Sequence, residues 1–366
     1  MKLCFLAGAN SIHSYRWIKF FADRGHEICW ISLAPSIFPP IPDVKYFEVS
    51  LSRITPWALI SSVLSVRKIV SQFKPDFLHV HSVGAYGLVG LFSGQKKIVA
   101  TPWGSDVIYG QKSLFKRPFI KAILGRALLV TCDAIHMKEH LLQLGVPNPR
   151  IHLINFGIDS KRFKPQAPRI SIRAKYELAD EQVVISLRNF EPVYDVASLL
   201  NAIPEVLREA PRTLFMIVGR GSLEGELKAL SKRLNIEDSV RFVGFIPNQD
   251  LPETIASMDI YVSTSLSDAG IAASTAEAMA CGLPVIVTDS GENNRWIING
   301  INGYLVPTVQ PQLLAKQILN LLSDREACKR IGVAGRLTIQ ERNDYSVEMA
   351  KMEQLYQDAI DNEKRL

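Results

Sequence analysis

Two successive series of strand-like runs, each alternating with amphipathic helical runs, constrain the fold more than any other feature of the sequence. In the first half KLCFL (2–6) is followed by SYRWIKFFADRG (14–25) and EICWISL (27–33). Then WALISSVLSVRKIVSQF (57–73) precedes DFLHVH (76–81), and KKIVAT (96–101) follows a short helical stretch. The second half repeats the alternation with VVISL, VASLLNAIPEVLREA, TLFMIVG, LEGELKALSKRL, SVRFVGF, DIYVSTS and YLVP. Such a pattern reads as parallel βαβ units, and two series read as two doubly wound, Rossmann-like α/β domains facing across a cleft. In such sheets ligands bind beyond the carboxyl ends of the strands. The break is expected in FKPQAPRIS (163–171), where two prolines, polar residues and a charge shift coincide. This gives domains at 1–165 and 166–345. The tail SVEMAKMEQLYQDAIDNE (346–363) has apolar residues at helical spacing and no strand after it. It reads as a terminal helix packing back on the N-terminal domain.

Composition sharpens this outline at three points. A length of 366 residues suits two domains. The most apolar runs are far shorter than the ~18 residues of a membrane span, and MKLCFLAGAN opens directly on strand-like sequence without a signal-peptide pattern. A cytoplasmic protein is expected. Cys4, Cys29, Cys132, Cys281 and Cys328 are scattered through mostly apolar stretches and read as buried, reduced thiols. Residues 1–165 carry 21 Lys+Arg against 9 Asp+Glu, whereas residues 166–366 carry 21 against 27. A basic half beside an acidic one suggests an anionic partner for the first half; a solvated surface bias is the plainer explanation. The basic, amphipathic QKSLFKRPFIKAILGRALL (111–129) holds Lys112, Lys116, Arg117, Lys121 and Arg126, with Phe115, Phe119, Ile120, Ile123 and Leu124 interleaved. It suits the anionic surface of a membrane as well as an ordinary solvated helix.

Chemistry concentrates in SDAGIAASTAEAMACGLPVIVTDSGEN (267–293). After the strand DIYVSTS comes a turn with Gly270, Ile271, Ala272 and Ala273, then a helix of small residues. Its start leaves backbone N–H groups open to an anion. Glu277, further into the helix, can accept both hydroxyl hydrogens of a ribose, so a nucleoside diphosphate suits both features. An alanine-rich packed helix with one solvated glutamate is the competing explanation. In FLHVHS (77–82) His79 and His81 lie two apart on one strand face; without further ligands this favours a buried His79 with His81 in a cleft over a metal site. VGRGSLEGEL (218–227) lacks the register of a dinucleotide fingerprint.

The chain resembles the retaining glycosyltransferases of family 4, which have the GT-B fold. The resemblance is carried by GHEICWIS, INFGIDSKRFKP (154–165), VGRGSLEGELKAL (218–230), VRFVGFIP (240–247), and EAMACGLPVIVTDSG followed by NGINGYLVP (299–307). It implies a nucleotide-sugar donor (a UDP-sugar first, a GDP-sugar second), a hydroxyl acceptor, retention at the anomeric carbon and no metal or other cofactor. It also implies that Arg188 grips the diphosphate and Glu277 the ribose, with Gly219 close to the nucleotide. Gly8, Asn10, Ser11, His13 and Arg16, in and after the loop that follows the first strand, would lie near diphosphate and acceptor, His13 as a candidate general base. His81 would join the acceptor side.

Three positions depart from the family pattern. The first of two glutamates falls on Ala269, with Asp268 beside it as a candidate substitute. A lysine site falls on Val193 or Tyr194. A histidine site falls on Trp103, leaving Asp106 as the nearest ionisable group; Asp106 is equally explained as a turn-former. The expected function is sugar transfer to a lipid-linked or cell-surface glycan, by a cytoplasmic protein peripheral on the inner face of the membrane, with no nucleic acid involved. An epimerase or hydrolase of the same fold, or a nucleotide-binding protein that has lost catalysis, are the alternatives.

Overall fold

The computed structural model describes residues 1–51, 55–108, 110, 113–167, 170–268 and 270–364. The chain divides into two compact units, Met1–Phe156 with Glu348–Leu366, and Gly157–Val347.

The first unit is built on seven strands: β1 (Lys2–Leu6), β2 (Glu27–Ser32), β3 (Val44–Glu48), β4 (Phe77–His81), β5 (Ile98–Thr101), β6 (Leu129–Cys132) and β7 (Ile151–Leu153). All neighbours pair in parallel, in the order β3-β2-β1-β4-β5-β6-β7. The central strands are apolar runs because both faces of a parallel sheet are covered. Side chains alternate accordingly. Cys4, Leu6, Leu78 and Val80 share a core with the buried sides of helices Pro56–Phe73, Ala85–Leu91 and Lys116–Arg126. Phe5 and Phe77 face the other way, Phe5 against Phe21 of the helix Ile12–Asp23 (centroids 5.8 Å) and Phe77 against Tyr356 (5.2 Å). Tyr356, on the terminal helix Tyr345–Lys364, is fully buried, and its hydroxyl meets His79 Nδ1 at 2.5 Å. His79 Nε2 contacts Thr101 Oγ1 at 2.6 Å.

The second unit carries β8 (Gln182–Leu187), β9 (Thr213–Val218), β10 (Val240–Gly244), β11 (Ile260–Ser263), β12 (Val285–Thr288) and β13 (Tyr304–Val306). These form a parallel sheet in the order β10-β9-β8-β11-β12-β13. One face packs on helices Val196–Glu209 and Pro311–Ser323, the other on Ala273–Ala280. The division between units falls earlier than the proline-rich stretch suggests. The Ile158 N–H already donates to the Asn343 carbonyl at 2.7 Å, and Phe163 is buried in the second unit's core. The prolines follow that anchor instead of preceding it. All five cysteines are free thiols, four of them buried.

Candidate active site

In the second sheet the strand order reverses between β8 and β11, so the loops leaving these two strands part and leave room between them. Arg188 is the first residue beyond β8. Its backbone is held by close approach of Gly219, where a Cβ would stand 2.2 Å from the Arg188 carbonyl oxygen. Gly219 therefore acts on Arg188 through the main chain. The guanidinium is buried; Nη2 donates to Asp268 Oδ1 at 2.5 Å and to Ser265 Oγ at 3.0 Å, while Nε is buried without a partner. The guanidinium carbon lies over the Tyr194 ring, 4.3 Å from its centroid, a cation–π contact.

Asp268 is equally enclosed. Its carboxylate also accepts from Ser265 Oγ at 3.2 Å and from Asn293 Nδ2 at 3.4 Å. Behind it Gly291, at φ +58°, comes so close that a Cβ would stand 1.5 Å from the Asp268 carbonyl oxygen. Only glycine fits there. Ser265, Asn293 and Gly291 escape the sequence reading. The signal that points to them is the clustering of small polar residues directly after two adjacent strands, STSLSD and TDSGEN.

The helix Ala273–Ala280 begins beside this pair. Ala272 at its N-cap offers no side-chain acceptor. Ser274 Oγ and Thr275 Oγ1 are drawn to Tyr261 Oη instead, at 2.8 and 3.3 Å. The first N–H groups are thus uncapped by side chains, a setting that favours an anion. Arg188, Val193, Tyr194, Ser267, Asp268, Ala272, Ala273, Ser274 and Glu277 line an open pocket of about 520 Å³. Gly270 and Ile271 form the half-buried approach to the helix, Ile271 against the core. Ala269 lies outside the described residues.

In the first sheet the order reverses between β1 and β4. The loop after β1 holds Gly8, the exposed Asn10 and Ser11, whose hydroxyl accepts from the Ser14 N–H at 3.5 Å and caps the helix that carries His13 and the half-buried Arg16. The His13 ring lies 4.5 Å from Phe156 and 5.7 Å from Trp103, and its Nδ1 has no partner. Burial, helped by Arg16, lowers its pKa to about 4. It is a weak proton acceptor at neutral pH, since a general base works best with a pKa near the operating pH.

Two expectations are corrected here. His81 does not face a cleft: it is 1% exposed, against Trp17 and Phe5, with Ser14 Oγ 3.3 Å from its Nδ1. Burial lowers its pKa to about 3. Asp106 is a turn-former. Its carboxylate accepts from the N–H groups of Val83 (2.7 Å), Trp103 (3.0 Å) and Val107 (3.0 Å), which leaves it little capacity for chemistry. Trp103 is half-buried, with Phe156 at 5.5 Å.

In the basic segment Ile120, Ile123 and Leu124 belong to the core, while Phe115 and Phe119 are exposed; Lys112 lies outside the described residues. Among the described residues no helix is long and apolar enough to cross a membrane, and no three His, Cys, Asp or Glu side chains are grouped to hold a metal ion.

Comparison with known proteins agrees with this architecture. The sequence model of the family "Glycosyl transferases group 1" matches residues 168–338, and that of "Glycosyl transferase 4-like" matches residues 2–134. The chain is 28% identical over 251 residues to the GDP-mannose-dependent alpha-(1-6)-phosphatidylinositol monomannoside mannosyltransferase of Mycolicibacterium smegmatis. That match takes in 67% of this chain and 65% of the mycobacterial one. It is 25% identical over 359 residues to the N-acetyl-alpha-D-glucosaminyl L-malate synthase of Bacillus anthracis, covering 94% and 93% of the two chains. Among solved structures, the Anabaena protein Alr3699/HepE in complex with UDP superposes with a TM-score of 0.81 at 20% identity, covering 98% of this chain and 100% of that one. The paired parallel-sheet units, the site at the second sheet's order reversal and the two family matches agree, and the chain belongs to the glycosyl transferases group 1, a glycosyltransferase of the GT-B fold.

Proposed function

We propose that the protein transfers a sugar from a nucleoside-diphosphate sugar to a hydroxyl of a lipid-linked or cell-surface glycan, with retention at the anomeric carbon. The observation that carries this reading is the pocket that joins Arg188, an uncapped helix start and Glu277. Arg188 and the N–H groups at Ala273 and Ser274 bind the diphosphate and stabilise it as it leaves. Glu277 binds the ribose diol. The departing phosphate takes the acceptor proton, which agrees with His13 being a weak base and Asp106 being engaged by the backbone. Gly8, Asn10, Ser11, Arg16 and Trp103 form the acceptor side. A UDP-sugar is the first candidate and a GDP-sugar the second; the Anabaena protein is in complex with UDP and the mycobacterial enzyme is GDP-mannose-dependent. An acceptor at the cytoplasmic face of an anionic membrane suits the basic first half and the segment 112–126.

The test is calorimetric titration with UDP and GDP, followed by donor-turnover assays in which NMR reads the anomeric configuration of the product. One diphosphate binds and its sugar is transferred with retention. Glu277→Gln weakens that diphosphate about 10–100-fold, the worth of a lost charge-assisted hydrogen-bond pair, and leaves its 2′,3′-dideoxy analogue unchanged. Binding without turnover would favour a lapsed nucleotide-binding protein, and no binding of either diphosphate would overturn the reading.

A further inference from the structure

We infer that the first unit holds, at the amino ends of β5, β6 and β7, a binding site for a small ligand carrying two or more linked phosphates. Lys96, Lys97, Arg126 and Arg150, with Gly125 and Leu128, line a pocket of about 580 Å³ there, and none of the described residues lining it is acidic. The fold gathers these cations from three separate stretches. β5, β6 and β7 are successive neighbours in the sheet, and parallel strands about 4.8 Å apart begin side by side. Lys96 and Lys97 directly precede β5, and Arg150 directly precedes β7. Arg126 ends its helix. The short link from there to β6 is seated beside the start of β5 by the Leu128 N–H, which donates to the Ile98 carbonyl at 2.8 Å.

Neighbouring carboxylates do not answer this charge. Among the described residues Lys96, Arg126 and Arg150 form no ion pair. Arg150 donates through Nη1 to the Gly125 carbonyl at 3.3 Å, which covers one oxygen at the negative end of the helix. Asp76, just before the neighbouring β4, accepts from the Lys2 N–H at 2.7 Å and does not line the pocket. Asp106 is the one acidic residue between 77 and 132. It follows β5, at the opposite end of the sheet, and is held there by three backbone N–H groups.

The arrangement selects the ligand. A guanidinium matches phosphate oxygens two at a time, and a lysine ammonium adds a mobile point charge. Four cations outnumber the roughly two negative charges of a single phosphate and suit a diphosphate or triphosphate chain. The volume falls within the range of about 300–1,000 Å³ typical of small-molecule sites. A nucleic acid would instead need an extended track of cations along its backbone, whereas these converge on one spot. The donor pocket lies in the second unit, so the two sites are separate and this one does not depend on the donor reading.

The experiment titrates the full chain with inorganic tripolyphosphate at fixed ionic strength and reads amide hydrogen exchange by mass spectrometry. Tripolyphosphate is expected to slow exchange in residues 95–98 and 125–129. In Lys96→Gln with Arg126→Gln, both exposed positions, the concentration giving half of that protection rises about 100-fold, about tenfold for each lost charge-assisted contact. Lys316→Gln with Lys329→Gln, exposed cations of the second unit, leaves it unchanged. Glu277→Gln also leaves it unchanged, and the protection is read at the site itself, so failure here is distinct from failure of UDP or GDP to bind. No protection at these segments, an equal loss in the second-unit pair, or equal protection by sulfate at the same ionic strength would each overturn the inference.

Discussion

Of the described residues lining the second unit's pocket, Arg188 alone is cationic, and its Nη2 is already engaged by Asp268. Two carboxylates, Asp268 and Glu277, share the pocket with that single guanidinium. An incoming diphosphate must therefore compete with Asp268 for Arg188. Asp268→Asn keeps the shape and removes the competing charge, so UDP or GDP is expected to bind about tenfold tighter, an effect of about 1.4 kcal/mol, read by titration calorimetry. Asp268→Ala instead strands a buried guanidinium and costs about 3–5 kcal/mol in urea unfolding; saturating nucleotide recovers part of that loss. Glu277 stands out locally as a glutamate in a small-residue helix, whereas Arg188 is singled out only through the family resemblance; both line the same pocket. The Arg188–Asp268 pair was not legible, because its partners are eighty positions apart and nothing in either stretch names the other. Asp106 misled in a different way: its backbone partners include Val83, which spacing along the chain does not reveal.

At the scale of elements, the central strands were readable since parallel strands covered on both faces become apolar runs, and the helices between them keep one apolar side; β3, exposed along most of its length, and the short β6 and β7 were not read. What the pattern did not carry is how one element reaches into another. The apolar spacing of the tail announced a helix, yet nothing in it shows that the Tyr356 hydroxyl meets His79 inside the sheet. Tyr356→Phe leaves that buried imidazole nitrogen without its partner and is expected to cost about 1–3 kcal/mol in chemical denaturation, with little change in nucleotide binding. Gly291→Ala tests the contact between the loops after β11 and β12. Its Cβ cannot be accommodated beside the Asp268 carbonyl, so both thermal stability and diphosphate affinity fall, whereas Gly25→Ala, with nothing within 4 Å of its Cβ, affects stability alone.

For the whole molecule, the buried histidines set an acid limit. His13 and His81 have folded-state pKa values of about 4 and about 3 against an ordinary 6.5, and His79 is likewise held well below that value by burial. The unfolded chain therefore binds more protons between these values and 6.5, so these groups make stability fall as pH drops below about 6.5 and add no slope above it. His13→Phe keeps the ring packing, removes an unpartnered nitrogen and flattens the acid limb; urea midpoints measured from pH 7 down to pH 4.5, taken about half a unit apart, would show it. The contrast between the basic half and the acidic half and the return of the tail to the first unit were readable in the sequence, but not where the chain divides, because residues 157–167 side with the second core. That return has a consequence during synthesis. The ribosome finishes the second unit's residues before it releases the segment bearing Tyr356, so the first half made is the last to be completed. Until that segment has been made, Phe21, Phe77 and His79 wait without their cover, and a nascent chain stalled before Tyr356 would hold a mature second unit tethered to an unfinished first.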